Sequence, residues 1–318
     1  MLANIKKTVT PMPSLLREAQ AGEQMNNNKF LNDLLVVLMM LVANFSEIIV
    51  IFPAIIIKVA VSVIASGGTL DNLQLDMYSS DMLLVQLFVT IVPILVLMLY
   101  VKFVEKRSIR TMGFVKEHAV TDYLIGMVAA FAMFSACVGI CAATGAMTFE
   151  GYVLNGQYGL LGLFFVGFLV QGMSEEVVCR GFALTSVGSK SGALAGMLLN
   201  SLFFGAMHLL NSGVTAFSMV NLVLFGLFMS IVVLKLNSLW AACAIHSIWN
   251  FVQGNFYGVL VSGIDAGPSV FRFTGTQGME LWNGGSFGME GGAATTIVLA
   301  VSIAVVLMMK PREKEVAA

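Results

Sequence analysis

Two adjacent carboxylates and an arginine stand near the end of a long apolar stretch of this 318-residue sequence. Residues 174–180 read Ser-Glu-Glu-Val-Val-Cys-Arg, and residues 151–174 carry no charge. A suitably placed carboxylate can take a proton from water. Glu176 and Arg180 are spaced as an ion pair on one helical face. That pairing leaves Glu175 without a partner on its own helix, which makes Glu175 the first candidate for chemistry.

Two of the three histidines are each spaced four residues from another notable side chain. These pairs are Phe204 with His208 and His246 with Asn250. Residues four apart share one helical face. A carboxylate and an imidazole can hold and deprotonate a water, while a second imidazole and an amide can donate hydrogen bonds to an oxyanion. The candidate catalytic residues for such a hydrolysis are Glu175, Glu176, Arg180, His208, His246 and Asn250.

The composition predicts an integral, multi-pass membrane protein. Hydrophobic residues make up 58% of the chain, charged residues make up 11%, and the mean hydropathy is +0.89. Soluble domains carry about 25% charged residues. The net charge of −1 gives no indication of a nucleic-acid partner. The four cysteines all lie in apolar segments, where they are expected to pack as small hydrophobic side chains rather than to form disulfides.

A membrane helix needs about 20 apolar residues, and the chain contains eight candidate segments of suitable composition. The predicted fold is therefore an all-α polytopic membrane bundle of about eight transmembrane helices. The first segment exceeds one perpendicular span and contains Pro53, which predicts a tilted or kinked helix or an interfacial extension. The eight segments are Leu31–Ser66, Met82–Val101, Asp122–Met147, Tyr158–Arg180 continuing toward Val187, Gly192–Leu210, Val214–Leu234, Leu239–Val261 and Ala293–Met309.

Lysine and arginine concentrate on one side of this eight-span path, which predicts that this side faces the cytoplasm. Both termini are then cytoplasmic, most simply in the cell membrane, and the opposite connections hold only Arg272. The predicted organisation is a cytoplasmic tail (1–30), amino-terminal helices with a basic loop (31–119), a catalytic core (120–262), an extracytoplasmic Gly-rich loop (263–292), and a last helix with a basic cytoplasmic tail (293–318).

The three chemical motifs are predicted to lie at similar depth. Glu175 and His208 are equally distant from the expected helical turn at residues 188–192, so antiparallel helices would bring them level. His246 lies about 15 Å from the cytoplasmic end of its own helix. The three residues are thus expected to converge in the cytoplasmic half of the bundle. Gln253 and Asn200 could extend this polar surface or could bond to neighbouring helices.

Three motifs in this order resemble those of the CPBP family, which comprises CAAX proteases and bacteriocin-processing proteins and is also called the Abi intramembrane proteases. The resemblance covers roughly residues 120–255 and rests on Glu175-Glu176-x-x-x-Arg180, Phe204-x-x-x-His208 and His246-x-x-x-Asn250. It implies an eight-helix endopeptidase that cuts peptide or protein substrates at or within the lipid bilayer. By position, Glu175 would activate water with help from His208. His246 and Asn250 would stabilise the oxyanion, and Glu176 and Arg180 would orient Glu175.

The family has been described both as metal-dependent and as a metal-free glutamate protease. The sequence contains no His-Glu-x-x-His motif, which favours a site without a cofactor. If zinc is bound, the expected ligands are Glu175, His208 and His246.

The same residues would also suit two other functions. A catalytically silent immunity or scaffold protein could keep the same polar cavity for binding, and a proton-coupled transporter could use buried glutamate and histidine as a relay. Transporters commonly contain paired repeats. No second copy of the Glu-Glu or His motifs occurs in the other half of the chain, which disfavours the transporter. The substrate is not encoded in any recognisable segment.

Overall fold

The apolar segments form helices because hydrocarbon offers no hydrogen-bond partner to an exposed backbone. A computed structural model describes residues 8–10, 12–20, 28–65 and 79–312. The helices of its bundle are α2 (Lys29–Ala65), α3 (Ser80–Val89), α4 (Ile91–Phe103), α5 (Ala119–Ala143), α6 (Tyr158–Glu176), α8 (Ala193–Met207), α9 (Ala216–Leu236), α10 (Trp240–Phe251) and α12 (Ala293–Met308).

Shorter elements connect and extend these helices. Two π-helical segments continue α6 and α10, at Val177–Leu184 and Val252–Phe256 respectively. The remaining elements are α1 (Ser14–Gln20), α7 (Thr185–Ser191), α11 (Glu280–Asn283), strands β1 (Met147–Tyr152) and β2 (Phe271–Gly275), and 3-10 turns at Ile109–Met112, Gly285–Phe287 and Met289–Gly291.

The helical membrane fold predicted from the sequence is confirmed. Five helical stretches in the described residues are long and apolar enough to cross a membrane, namely Lys29–Ile64, Ser80–Phe103, Ala119–Ala143, Tyr158–Ser191 and Ala216–Leu236. Two of the other predicted spans are shorter apolar helices, Ala193–Met207 and Ala293–Met308. The seventh predicted span is a helix from Trp240 to Phe256, which ends five residues before the expected Val261.

The first membrane helix is continuous. Helix α2 has 37 residues and runs through Pro53, so it is about 55 Å long at 1.5 Å per residue. It therefore exceeds a hydrocarbon core of about 30 Å and requires tilt or an extension beyond the core. Ser66, the last residue of the predicted span, lies outside the described residues.

One region departs from the all-α prediction. Met147 was expected to end the third span, but α5 ends at Ala143, and Met147 begins β1, which pairs antiparallel with β2. Gly145 supports the change of direction, since its φ of +72° is readily adopted only by glycine. The predicted Gly-rich connector 263–292 therefore contains β2, α11 and two 3-10 turns rather than only loop.

Charged side chains tie the elements together at the basic end of the bundle. Arg107 pairs with Glu105 and donates to the hydroxyls of Thr185 and Ser186 near the end of the α6–α7 helix. Near the carboxyl terminus, Arg312 donates to both carboxylate oxygens of Asp122 at 2.8 Å. These ion pairs give two of the basic residues predicted to be cytoplasmic a structural role at this end.

Helix α10 lies at the centre and is packed between α5 and α6. Its residues from Ala241 to Asn250 are all buried. Glycine permits this close packing, because a Cβ added at Gly172 of α6 would lie 2.5 Å from the backbone nitrogen of Ser247. Small residues at such contacts let membrane helices approach closely. The contact sets the distance between the Glu-Glu motif of α6 and His246 of α10.

Candidate active site

The three motifs meet at a cavity of about 280 Å³. Glu175 of α6, His208 at the end of α8, and His246 and Asn250 of α10 all line it. Its other walls come from α2, α3, α9, α12 and the segment 261–266, with side chains such as Ile51, Leu83, Leu222 and Leu299. A mostly apolar cavity with a few convergent polar groups is the usual form of a ligand site.

The cavity is displaced from the predicted depth. It reaches Asn211, Ser262 and Glu290, which lie in connections at the end of the bundle opposite the basic side chains. His208 follows the last residue of α8 rather than lying inside that helix. The sequence places the site in the half that carries the basic residues. In the fold, the cavity extends from the middle of the bundle toward the other end. Helix α8 has only 15 residues, so His208, which follows it, lies near the end of the bundle that is opposite the basic residues.

The bottom of the site is buried and consists of Glu176, Arg180 and His246. Arg180 Nη1 and His246 Nδ1 both donate to Glu176 Oε1 at 2.8 Å. The side chains of Glu176 and Arg180 are 0% exposed, and that of His246 is 4% exposed. A buried ion pair of this kind needs good geometry to offset the cost of removing both charges from water. Here the pair fixes the ring of His246 so that Nε2 points toward Glu175.

Glu175 lies above these three residues and reaches the cavity. Its Oε2 is 3.6 Å from His246 Nε2, and its side chain is 31% exposed. Its Oε1 accepts a hydrogen bond from Gln171 Nε2 at 2.6 Å, and Gln171 Oε1 accepts one from Asn250 Nδ2 at 2.9 Å. Within the described part of the chain, Oε2 has no hydrogen-bond partner. One carboxylate oxygen is thus held in place, while the other is buried without a hydrogen-bond donor among those residues.

His208 faces the same cavity from a different wall. Its Nδ1 is 2.8 Å from the carbonyl oxygen of Phe204, and the two rings are 4.8 Å apart. A carbonyl oxygen only accepts hydrogen bonds, so Nδ1 carries the proton and a neutral ring keeps Nε2 as an acceptor. The ring of Phe204 also lies under the Arg180 guanidinium, at 5.0 Å. Phe204 therefore contacts both the buried ion pair and His208.

Two π-helical segments flank the motifs. One begins directly after Glu176, and the other begins two residues after Asn250. Single π turns inside α-helices occur often at functional sites because the wider turn changes the direction of the following side chains. Arg180 lies in the first of these segments. The sequence pattern predicts only ordinary helix here.

The three ligands expected if zinc is bound all line the cavity. No group of three or more His, Cys, Asp or Glu side chains across residues 28–65 and 79–312 is arranged to hold a metal ion. Glu176 binds His246 Nδ1 and the Phe204 carbonyl binds His208 Nδ1, so each ring keeps its Nε2, as metal-ligating histidines also do. Glu175, His208 and His246 thus line one cavity without forming a ligand cluster.

The structure brings five of the six predicted residues into one network, with His208 across the cavity. Gln171, which joins Asn250 to Glu175, is missing from the sequence prediction, although its spacing of four residues before Glu175 places it on the same helical face. Gln253 and Asn200 do not line the cavity, since they bond to the Leu260 carbonyl and to Ser230, respectively. Glu47 and Glu290 also line the cavity, and no sequence motif indicates them.

Residues 157–252 match the family model described as Rce1-like, type II CAAX prenyl endopeptidase. This segment contains all six predicted site residues, and the match confirms the resemblance to the CAAX proteases that their spacing indicated. No curated protein and no solved structure matches the chain.

Proposed function

We propose that this protein is an intramembrane endopeptidase that hydrolyses peptide bonds of membrane-associated or lipidated peptides with a water activated by Glu175. The observation that carries the proposal is the state of the Glu175 carboxylate. One oxygen is held by Gln171, while the other is unpartnered among the described residues, beside His246 and at the wall of the cavity. The match of residues 157–252 to a CAAX endopeptidase family supports the same activity.

The proposed reaction begins when Glu175 takes a proton from a water in the cavity, assisted by the free Nε2 of His208. The water oxygen adds to the peptide carbonyl carbon, and negative charge develops on the carbonyl oxygen. Glu175 then returns its proton to the amine as the carbon–nitrogen bond breaks. The products are a carboxylic acid and an amine, which then ionise to a carboxylate and an ammonium group, so atoms and charge balance without a further reactant.

Two groups on α10 are positioned to stabilise the oxyanion. An imidazole between two carboxylates can carry a proton on each nitrogen, and His246 would then donate to Glu176 through Nδ1 and to the oxyanion through Nε2. Asn250 uses an amide hydrogen for Gln171 and has a second available. Preorganised donors of this type contribute about 10²–10³-fold each to the rate. Glu176 and Arg180 are positioning residues for this arrangement.

We expect cleavage to survive removal of metal ions, since the described side chains do not form a metal cluster. The full chain would be purified, stripped with a chelator and placed in lipid nanodiscs. It would then be given a reporter transmembrane peptide in water enriched in ¹⁸O. Mass spectrometry should find two products, with ¹⁸O in the new carboxyl terminus.

The outcomes of this experiment separate the candidate functions. Cleavage that occurs only after zinc is restored would keep the protease and overturn the metal-free mechanism. An absence of cleavage under both conditions, by protein shown to be folded, would favour the scaffold. The transporter would be favoured by peptide-independent proton flux across vesicles instead of cleavage, since buried carboxylates and histidines can relay protons.

We infer that both termini face the cytoplasm, because the basic residues concentrate at one end of the bundle. A single cysteine at the exposed Ser286 should then react with a membrane-impermeant reagent in intact cells. The background for this test lacks the four buried native cysteines. A cysteine at Glu117, which is exposed in the basic connection, is the matched control and should react only after the membrane is opened. The reverse labelling pattern would invert the topology.

A further inference from the structure

A third acidic side chain reaches the proposed substrate cavity from outside the matched segment. Glu47 belongs to α2 and lines the same cavity as Glu175. No hydrogen bond or ion pair of Glu47 is found among the described residues, whereas Glu176 Oε1 accepts from both Arg180 and His246 at the bottom of the site. An ionisable side chain in a membrane helix is costly, so an unpaired one facing a cavity indicates a functional role.

The rest of the cavity wall does not compensate this charge. Glu290 lies at the far end of the cavity, where its Oε2 accepts from the backbone and hydroxyl of Ser262 at 2.7 Å. No lysine or arginine lines the cavity in the described part of the chain. Arg180 lies behind the wall, fully buried against Phe204 and Glu176. Apart from the two histidines, the charged groups at the cavity surface are therefore all carboxylates.

The carboxylates on the cavity wall affect which substrate groups the cavity can bind. Like charges in a mostly apolar, partly enclosed space repel more strongly than in water, and a cation placed between them relieves that repulsion. The free carboxylate at the end of a peptide would find no lysine or arginine on the wall and would add to the negative charge. An ammonium or guanidinium group on the substrate would instead be attracted to Glu47 and could donate hydrogen bonds to it.

We propose that Glu47 is a specificity-determining residue that selects peptides carrying a basic side chain close to the cleaved bond. The proposal rests on the protease function proposed above, which identifies the cavity as the substrate site on other grounds. It assigns the choice of substrate to α2, while the chemistry belongs to the matched segment. In this arrangement Glu175 and His246 act on the peptide bond, and Glu47 holds a neighbouring substrate cation.

The test is a series of reporter transmembrane peptides in which one lysine is moved residue by residue across the cleaved bond. A parallel series carries norleucine, which has a similar length without the charge. The full chain in nanodiscs should cleave the lysine peptide about tenfold more efficiently than its norleucine partner at one position or two adjacent positions, the size expected for a charge-assisted hydrogen bond. Glu47→Gln should bring this ratio close to one. Glu150→Gln, which removes an exposed carboxylate outside the cavity, should keep the ratio.

Binding of the same fluorescent peptides to the Glu175→Gln protein gives a readout that does not require turnover. Lysine peptides should bind more tightly than norleucine peptides, and adding Glu47→Gln should remove the difference. A lysine preference that persists without Glu47, or no preference at any position in the wild type, would overturn the proposal. If no peptide is cleaved but the Glu47-dependent binding preference remains, the protease function fails and the cation site stands.

Discussion

Replacing Glu175 by glutamine is expected to lower turnover of the reporter peptide by about 10²–10⁴-fold, the usual contribution of a general base. Glutamine keeps nearly the same shape and can still bond to Gln171, but it cannot accept the proton of the attacking water. The measurement is the initial rate of cleavage by purified variants in nanodiscs. Thermal unfolding of each variant checks that the bundle is intact.

Two further variants serve as comparisons for Glu175→Gln. Glu150→Gln removes the same charge from an exposed position in β1, so its rate should equal that of the wild type. Glu176→Gln weakens the positioning of His246 while leaving the base in place, and we expect reduced but measurable activity. Cleavage by Glu175→Gln at the wild-type rate would rule out this carboxylate as the base. If the wild-type protein has its effect in cells without cleaving any peptide, the cavity is a binding site and the scaffold function applies.

Replacing Arg180 by methionine is expected to lower the free energy of unfolding by about 3–5 kcal/mol, the range for breaking a buried ion pair from one side. Arg180 is fully buried, and its Nη1 donates to Glu176 Oε1 at 2.8 Å. Its loss would leave the Glu176 carboxylate with only His246 as a charged partner. The guanidinium contact with the Phe204 ring would also be lost. Thermal or denaturant unfolding in mixed detergent and lipid measures the change.

The double variant Arg180→Met with Glu176→Gln distinguishes charge from packing. Removing both charges should recover part of the lost stability, because an uncharged amide is less costly to bury than an unpaired carboxylate. Activity should stay low in both variants, since Arg180 no longer holds the acceptor of His246 in place. If the double variant is as unstable as Arg180→Met alone, the arginine stabilises the bundle through its volume rather than through the ion pair.

The sequence by itself determined the properties that depend on short stretches of chain. Membrane helices are recognisable because each must supply enough apolar residues to cross the bilayer and must satisfy its own backbone. The pair Glu176–Arg180 and the contact between Phe204 and His208 follow from the geometry of one helical turn, and both are present. The order of the three motifs also sufficed to indicate the family that residues 157–252 match.

Tertiary structure decided how those helices face one another. The bond from His246 to Glu176 and the link from Asn250 through Gln171 to Glu175 require α6 and α10 to touch, and Gly172 permits that approach. The register of β1 with β2 joins residues far apart in sequence. Glu47 reaches the cavity only because α2 packs beside the motif helices. Such contacts depend on side-chain packing between distant segments, and no local period or spacing in the sequence specifies them.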